Sequence, residues 1–139
     1  MTIEDQGKVK TQYYNEAIRY MDNAKETLGK AGKDGVFYVD DKYVKTACGT
    51  AYNGILKALD GYFILKSIEL PKGKKSIGYY RTNVAKIDSN LLNYLNNAYE
   101  VLHISGYYEG VTGVKVIQSG FEYAYEIISK IKPNVKGRD

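Results

Sequence analysis

The run from Asp40 to Leu65, DDKYVKTACGTAYNGILKALDGYFIL, constrains the fold more than any other part of the chain. Two apolar seams follow it at helical spacing. Ala47, Ala51, Gly54, Ala58 and Gly61 make a seam of small residues that steps by 4, 3, 4 and 3. Val44, Cys48, Tyr52, Ile55, Leu59 and Tyr62 make a larger seam beside it. A helix that is apolar on two adjacent faces belongs at the centre of a bundle, and small side chains let a neighbouring backbone come close. A glycine inside a helix costs roughly 1 kcal/mol relative to alanine. Gly49, Gly54 and Gly61 therefore need a packing reason. We expect this helix and the last one to form the buried centre, with Ala51, Gly54 and Ala58 in close helix contact.

The rest of the chain reads as helices of the same kind. Tyr14, Ala17, Met21, Ala24 and Leu28 form a bundle stripe on a first helix of about Lys8 to Leu28, which Gly29, Gly32 and Gly35 terminate. Val36-Phe37-Tyr38-Val39 is strand-like but has no evident partner, so it reads as an apolar loop tucked onto the bundle. Asp40 and Asp41 suit the start of the central helix, which should run to about Ile68 and stop before Pro71. The basic turn Lys72-Gly73-Lys74-Lys75 follows, and Ser76 opens a short helix with Ile77, Tyr80, Val84 and Ile87 on one side. Asp88 or Ser89 caps the next helix, whose inward stripe is Leu92, Leu95, Tyr99 and Leu102 and whose end falls at Ser105-Gly106. Val114, Ile117, Phe121, Ala124, Ile128 and Ile131 define the terminal helix, which Pro133 ends; Asn134 to Asp139 reads as a frayed basic tail. The expected fold is all-α: a four-helix up-and-down bundle plus one short helix, in a single domain spanning 1–139 with an ordered core of about 9–132.

A chain of 139 residues is long enough to bury roughly 68% of its unfolded surface in one core. That interior has an unusual chemistry, with 15 Tyr against 3 Phe and no Trp. Each buried phenol wants a partner for its hydroxyl or a path to water. Two readings follow: a small core edged with amphipathic rings, or a Tyr-lined surface for a ligand or RNA. The net charge of +4 is mild, with small clusters at Lys72, Lys74, Lys75 and at Lys130, Lys132, Lys136, Arg138. A dedicated nucleic-acid binder concentrates more charge on one face, so nucleic acid is not the expected partner. Cys48 lies in the apolar seam and reads as a small hydrophobe. Met1 to Lys10 is polar and contains Glu4 and Asp5, unlike a signal peptide, and charges interrupt every apolar run. No membrane span and a cytoplasmic location are expected.

Few motifs carry chemistry. One His and one Cys on different helices, with a single Glu-x-x-His match at Glu100-Val101-Leu102-His103, give no basis for a metal or cofactor. Lys72-Gly73-Lys74-Lys75-Ser76 lacks the first glycine of a phosphate loop and does not follow a strand. No Gly-x-Ser-x-Gly elbow occurs. His103 alone switches charge near neutral pH, and Gly106, Tyr107, Tyr108 and Glu109 follow it closely. It reads either as part of a polar pocket beside two phenols or as a helix-end histidine bonding a terminal carbonyl. Arg81, His103, Tyr107 and Tyr108 are the candidate polar site, and no catalytic residue is assigned.

The order of parts resembles a known group. A first helix with Asn23-Ala24-Lys25, a long helix with Ala47-x3-Ala51-Tyr52-Asn53-Gly54 and a last stripe with Tyr125-x2-Ile128 are similar to HEPN-type four-helix bundles. Tyr43-Val44-Lys45, Ala51-Tyr52-Asn53-Gly54 and Leu102-His103 with Tyr108-Glu109-Gly110 resemble a small Bacteroidetes family of unknown function, over about Tyr14 to Ile131. HEPN ribonucleases carry an Arg with a His four to six residues on; here Arg81-Thr82-Asn83 runs into Val84, Ala85, Lys86 and Ile87. No catalytic residue is therefore carried over. The expected function is a non-catalytic interaction module, homodimeric or bound to another protein. The alternatives are a HEPN-type RNA-directed enzyme or toxin-system component using Arg81, Lys86 and His103, and a small-ligand-binding bundle lined by Tyr rings.

Overall fold

Helix α1 (Ile3–Gly29) begins five residues earlier than its apolar stripe suggests, because Thr2 and Asp5 form a capping box ahead of the stripe. The Asp5 amide donates to Thr2 Oγ1 at 3.0 Å and the Thr2 amide to Asp5 Oδ2 at 3.1 Å. These bonds satisfy amides that a helix start leaves without partners. The computed structural model describes residues 1–133, so the tail assigned to Asn134–Asp139 lies outside the described residues.

The α1–α2 connection departs from the expected loop. Lys33–Asp34 (β1) and Phe37–Tyr38 (β2) pair antiparallel as a small hairpin. Its outer edge pairs in turn with the segment before the last helix: the Tyr38 amide donates to the Thr112 carbonyl at 2.8 Å, and the Val114 amide to the Val36 carbonyl at 2.9 Å. The partner that the strand-like residues lacked in the sequence is a distant loop brought alongside by the bundle.

Helix α2 (Asp41–Leu65) is capped by Asp40, whose carboxylate accepts from the Lys42 amide at 3.0 Å. It stops short of Ile68 because Ser67 takes a left-handed conformation, with φ 58°. The Ile68 amide then reaches back to the Phe63 carbonyl at 2.9 Å and the Ser67 amide to the Ile64 carbonyl at 3.1 Å. This pair of bonds closes the helix end.

Ser76 caps the short helix α3 (Ile77–Ile87), and Asp88 both ends α3 and caps α4 (Ser89–Ala98). Helix α4 does not stop at Ser105-Gly106. It passes without a break into a π-helical segment, Tyr99–Tyr108, ten residues in length. π-Helical hydrogen bonds run from residue i to i+5 and are mostly confined to single turns, frequently at functional sites. Helix α5 (Val114–Ser129) completes the all-α bundle.

The core explains the two seams of α2. Val44, Cys48, Ile55 and Leu59 are buried with Met21, Phe63, Leu91, Leu95, Leu102, Ile117 and Ile128. The small seam, Ala47, Ala51, Gly54, Ala58 and Gly61, is buried throughout, and its glycines meet α1. A β-carbon placed on Gly54 would lie 3.0 Å from Tyr20 Cβ and 3.2 Å from the Ala17 carbonyl oxygen. One placed on Gly61 would come within 2.5 Å of Tyr13 Cβ. The helix that uses the seam is thus α1, where the sequence had paired α2 with the terminal helix. Among the described residues no helix is long and apolar enough to cross a membrane.

Gly54→Leu should overpack the α1–α2 contact and lower stability by about 1–3 kcal/mol or more in a urea melt. Gly7, in α1, has nothing near its absent β-carbon. Gly7→Ala should therefore raise stability, by up to about 1 kcal/mol. Equal melting of Gly54→Leu and the parent would contradict the close-packed seam.

Candidate functional site

The π-helical segment is held by close contacts on both sides. Gly106 lies against Cys48 of α2, so near that a β-carbon there would overlap the sulfur. Gly120 of α5 faces Val101 and Leu102, at 2.7 Å and 2.8 Å from where its β-carbon would stand. Between these contacts the segment turns one row of rings outward: Tyr99, His103 and Tyr107, spaced four residues apart. The wider turn of a π-helix brings residues four apart more nearly over one another than an α-helix does.

His103 is the hub of this cluster. Its ring centroid is 4.7 Å from that of Tyr52, 5.2 Å from Tyr99, 5.8 Å from Tyr107 and 4.9 Å from Tyr108. Tyr107 stacks nearly parallel to it, at 13°, and Tyr108 meets it edge-on, at 83°. Gly49 of α2 makes room for the Tyr107 ring, whose Cδ1 is 3.0 Å from where a β-carbon would stand. The five rings border a cleft of about 630 Å³ between α2, the start of α3 and the π-helical segment. Asn53, Thr50 and Lys74 also line it.

Burial keeps His103 and Tyr52 of this cleft uncharged at neutral pH. Burial holds the His103 pKa below its ordinary value of 6.5, so the neutral imidazole dominates. Tyr52 is pushed up to about 12, by burial first and by Tyr99 next, with Arg81 opposing. Cys48, beneath the segment, is pushed up to about 12 by burial and stays a thiol. Among the described residues, neither nitrogen of His103 has a hydrogen-bond partner, so the helix-end reading, with a bond to a terminal carbonyl, does not describe it. His103 sits within the π-helical segment rather than at its end.

The wall beside α3 is fixed by one half-buried carboxylate. Tyr80 donates its hydroxyl to Asp60 Oδ1 at 2.8 Å, and Lys75 Nζ lies 2.7 Å from Asp60 Oδ2. Burial and then Asp60 raise the pKa of Tyr80, so this phenol remains a donor. Asp60 thereby ties α2 to α3 and to the basic turn. Lys74, next to Lys75, forms no ion pair among the described residues and stands at the cleft edge.

The candidate polar residues are not all in one place. His103, Tyr107 and Tyr108 line the cleft. Arg81 stands behind it: its guanidinium carbon is 4.7 Å from the centroid of the Tyr99 ring, and its Nε donates to Asn96 Oδ1 at 2.8 Å. Arg81 and His103 thus meet the same ring, Tyr99. The sequence reading missed Tyr52 and Tyr99, assigning them to apolar stripes on α2 and α4. The signal that could have found them is the aromatic spacing Tyr99, His103, Tyr107. Among the described residues no group of three or more His, Cys, Asp or Glu is placed to hold a metal ion.

The depressed His103 pKa sets a direction for pH dependence. The unfolded chain binds this proton more readily than the folded one, so stability is intact above about pH 6.5 and falls as pH drops toward the folded pKa. An NMR titration of the His103 ring should give a midpoint below 6.5. His103→Gln should flatten the stability profile between about pH 6.5 and 5, above the range where carboxylates titrate. A midpoint above 6.5 would contradict the buried, ring-packed imidazole.

Comparison with known proteins adds family and fold. No curated protein matches the chain. A solved structure of a protein of unknown function from Dyadobacter fermentans is similar at 42% sequence identity and a TM-score of 0.80, over 87% of this chain and 94% of that one. The family model described as Domain of unknown function (DUF5618) matches residues 12–133, which take in the later part of α1, every helix after it and the whole ring-lined cleft. The chain belongs to the DUF5618 family.

Proposed function

We propose that this protein is a non-catalytic binding module whose working surface is the ring-lined cleft, and that its ligand is a small planar aromatic molecule. The carrying observation is the convergence of Tyr52, Tyr99, His103, Tyr107 and Tyr108 on one cleft of about 630 Å³. That volume lies in the range of small-molecule sites, which combine apolar walls with a few placed polar groups. Here the walls are ring faces and edges, and Asn53, Thr50 and Lys74 supply the polar groups. Tyr107 and Tyr108 are exposed enough to meet a ligand, while Tyr52 is buried and sets the floor. Offset-stacked and edge-to-face pairs contribute roughly 0.5–1.5 kcal/mol each beyond the area they bury.

The same geometry argues against proton transfer. A general base needs to be within hydrogen-bond reach of the proton it takes, and is usually oriented by a second group. Among the described residues no group bonds the His103 ring. Arg81 is engaged by Asn96 and Tyr99 and does not line the cleft. A HEPN-type, RNA-directed activity through Arg81, Lys86 and His103 is therefore the weaker reading.

Titration of labelled protein with quinoline, and separately with indole, should shift the resonances of His103, Tyr107 and Tyr108 in a saturable way. Tyr107→Ala should weaken that binding about 2- to 12-fold, the equivalent of one lost ring contact. Quinoline and indole both leaving the cleft resonances unmoved, or Tyr107→Ala binding as the parent does, would defeat the proposal.

Association between copies is a second reading, favoured by one observation. Val36, Phe37 and Val39 on the hairpin are exposed, and so is Val116 on the first turn of α5. The Phe37–Gly113 bridge brings the hairpin and the start of α5 together, so these residues cluster at one end of the bundle. Exposed apolar clusters of this kind mark contact surfaces, and two-fold dimers are the commonest assembly. Light scattering should give twice the 15.7 kDa chain mass, reduced to one chain by Phe37→Lys. A parent mass of 15.7 kDa at micromolar concentration would remove this reading.

A further inference from the structure

A second cavity, of about 680 Å³, opens between the last turns of α1, the hairpin and α5, and shares no lining residue with the ring-lined cleft. Its floor is apolar: Leu28, Tyr38 and Phe121, of which Tyr38 and Phe121 are only 5% and 7% exposed. Its mouth is cationic. Lys25 Nζ sits 4.8 Å from the centroid of the Tyr125 ring, and Lys33 Nζ 5.9 Å from that of Tyr38. Neither ammonium group forms an ion pair with a carboxylate among the described residues. The Tyr125 ring and hydroxyl engage Lys25 and the Tyr38 ring lies near Lys33, both where a ligand would meet them, and the attraction is electrostatic.

We infer that this cavity binds an amphipathic monocarboxylate, an apolar body of roughly the size of an eight-carbon chain or a phenylalkyl group bearing one carboxylate. The apolar floor takes the body, by burial of hydrocarbon against Leu28, Tyr38 and Phe121. Lys25 and Lys33 take the carboxylate through charge-assisted hydrogen bonds. The charge count favours one negative charge: two ammonium groups and the single lining carboxylate, Glu122, leave a net +1. A neutral apolar ligand would leave the two cations facing it unpaired, and a dianion would bring a second negative charge up against Glu122. The floor is set by side chains that are already packed, so the site is largely formed before a ligand arrives.

The test uses the full chain, isotopically labelled, with sodium octanoate as probe and octanamide as its uncharged counterpart. Octanoate should shift the amides of Leu28, Lys33, Phe121 and Tyr125 in a saturable way, with a Kd in the millimolar range or tighter. Octanamide should bind about tenfold more weakly, a loss of about 1.4 kcal/mol for the missing charge. The double variant Lys25→Met, Lys33→Met keeps the apolar stems and should weaken octanoate about tenfold, whereas Glu122→Gln should tighten it. All three side chains are at the cavity mouth, so a native amide spectrum is expected for each variant and is checked first. Phenylbutyrate provides a second probe with a ring in place of the chain. Octanoate and phenylbutyrate both failing to give saturable shifts at these amides would overturn the inference. So would equal binding of octanamide, or undiminished octanoate binding by the double lysine variant. Shifts confined to His103, Tyr107 and Tyr108 would assign the carboxylate to the other cleft and also overturn it.

Discussion

The contact between Gly106 of the π-helical segment and Cys48 of α2 fixes the rest of the site. Neither helix could come so near if position 106 bore a side chain, because the sulfur already fills that space. Gly49 repeats the arrangement one residue along α2, where the Tyr107 ring comes close to the backbone. Gly120 repeats it from the opposite side, letting α5 press on Val101 and Leu102. Interiors pack at crystal-like density, so a ten-residue π-helical segment gripped on two sides has few alternatives open to it. The rings of Tyr99, His103 and Tyr107 inherit their alignment from that grip.

The helices and their seams were legible because burial imposes a period on the chain, and Ala17-Met21-Ala24 or Ile117-Phe121-Ala124 carry it plainly. Three features were not. The capping box at Thr2 and Asp5 precedes the apolar stripe, so a reading led by hydrophobic period starts the helix late. The hairpin edge pairs with Thr112 and Val114, a partner that only the folded bundle supplies. The change from i+4 to i+5 hydrogen bonding after Ala98 has no residue signature of its own. It follows from packing against α2 and α5, and packing is a tertiary fact. That is also why Tyr52 and Tyr99 read as core stripe: their spacing is right for a core, and the cleft beside them exists only where α2, α3 and the π-helical segment meet. Arg81 and His103 were legible as candidates, but not the Tyr99 ring that separates their roles.

Charge is placed with the same economy. Asp60 lies between α2 and α3, where it accepts from Tyr80 and pairs with Lys75. Asp88 serves two helix ends and pairs with Lys130 at 3.3 Å. These carboxylates hold elements together and stay outside the ring cluster. The cluster itself holds the Tyr52 phenol and the His103 imidazole, which burial keeps neutral. Such a surface recognises shape and ring stacking better than it moves protons, because no group in it is both poised near neutral pH and oriented by a partner. The cavity by α1 has the complementary design, with cations at the mouth and hydrocarbon below. Two cavities of similar volume, one walled by rings and edged by Lys74 and Lys75, the other with an apolar floor and Lys25 and Lys33 at its mouth, lie at separate sites.

The ring cluster sits on the π-helical register, and that register is directly measurable. Scalar couplings across backbone hydrogen bonds, read by NMR, identify which carbonyl each amide donates to. In the second half of the segment they should connect amides to carbonyls five residues before them, with Glu109 coupled to Ile104, as the 2.9 Å bond requires. Coupling of Glu109 to Ser105, and of its neighbours to carbonyls four residues back, would make the segment an ordinary α-helix. The three rings would still share one helix face, but the wider turn that seats them against α2 would be gone, and the packing described for the cleft would be wrong.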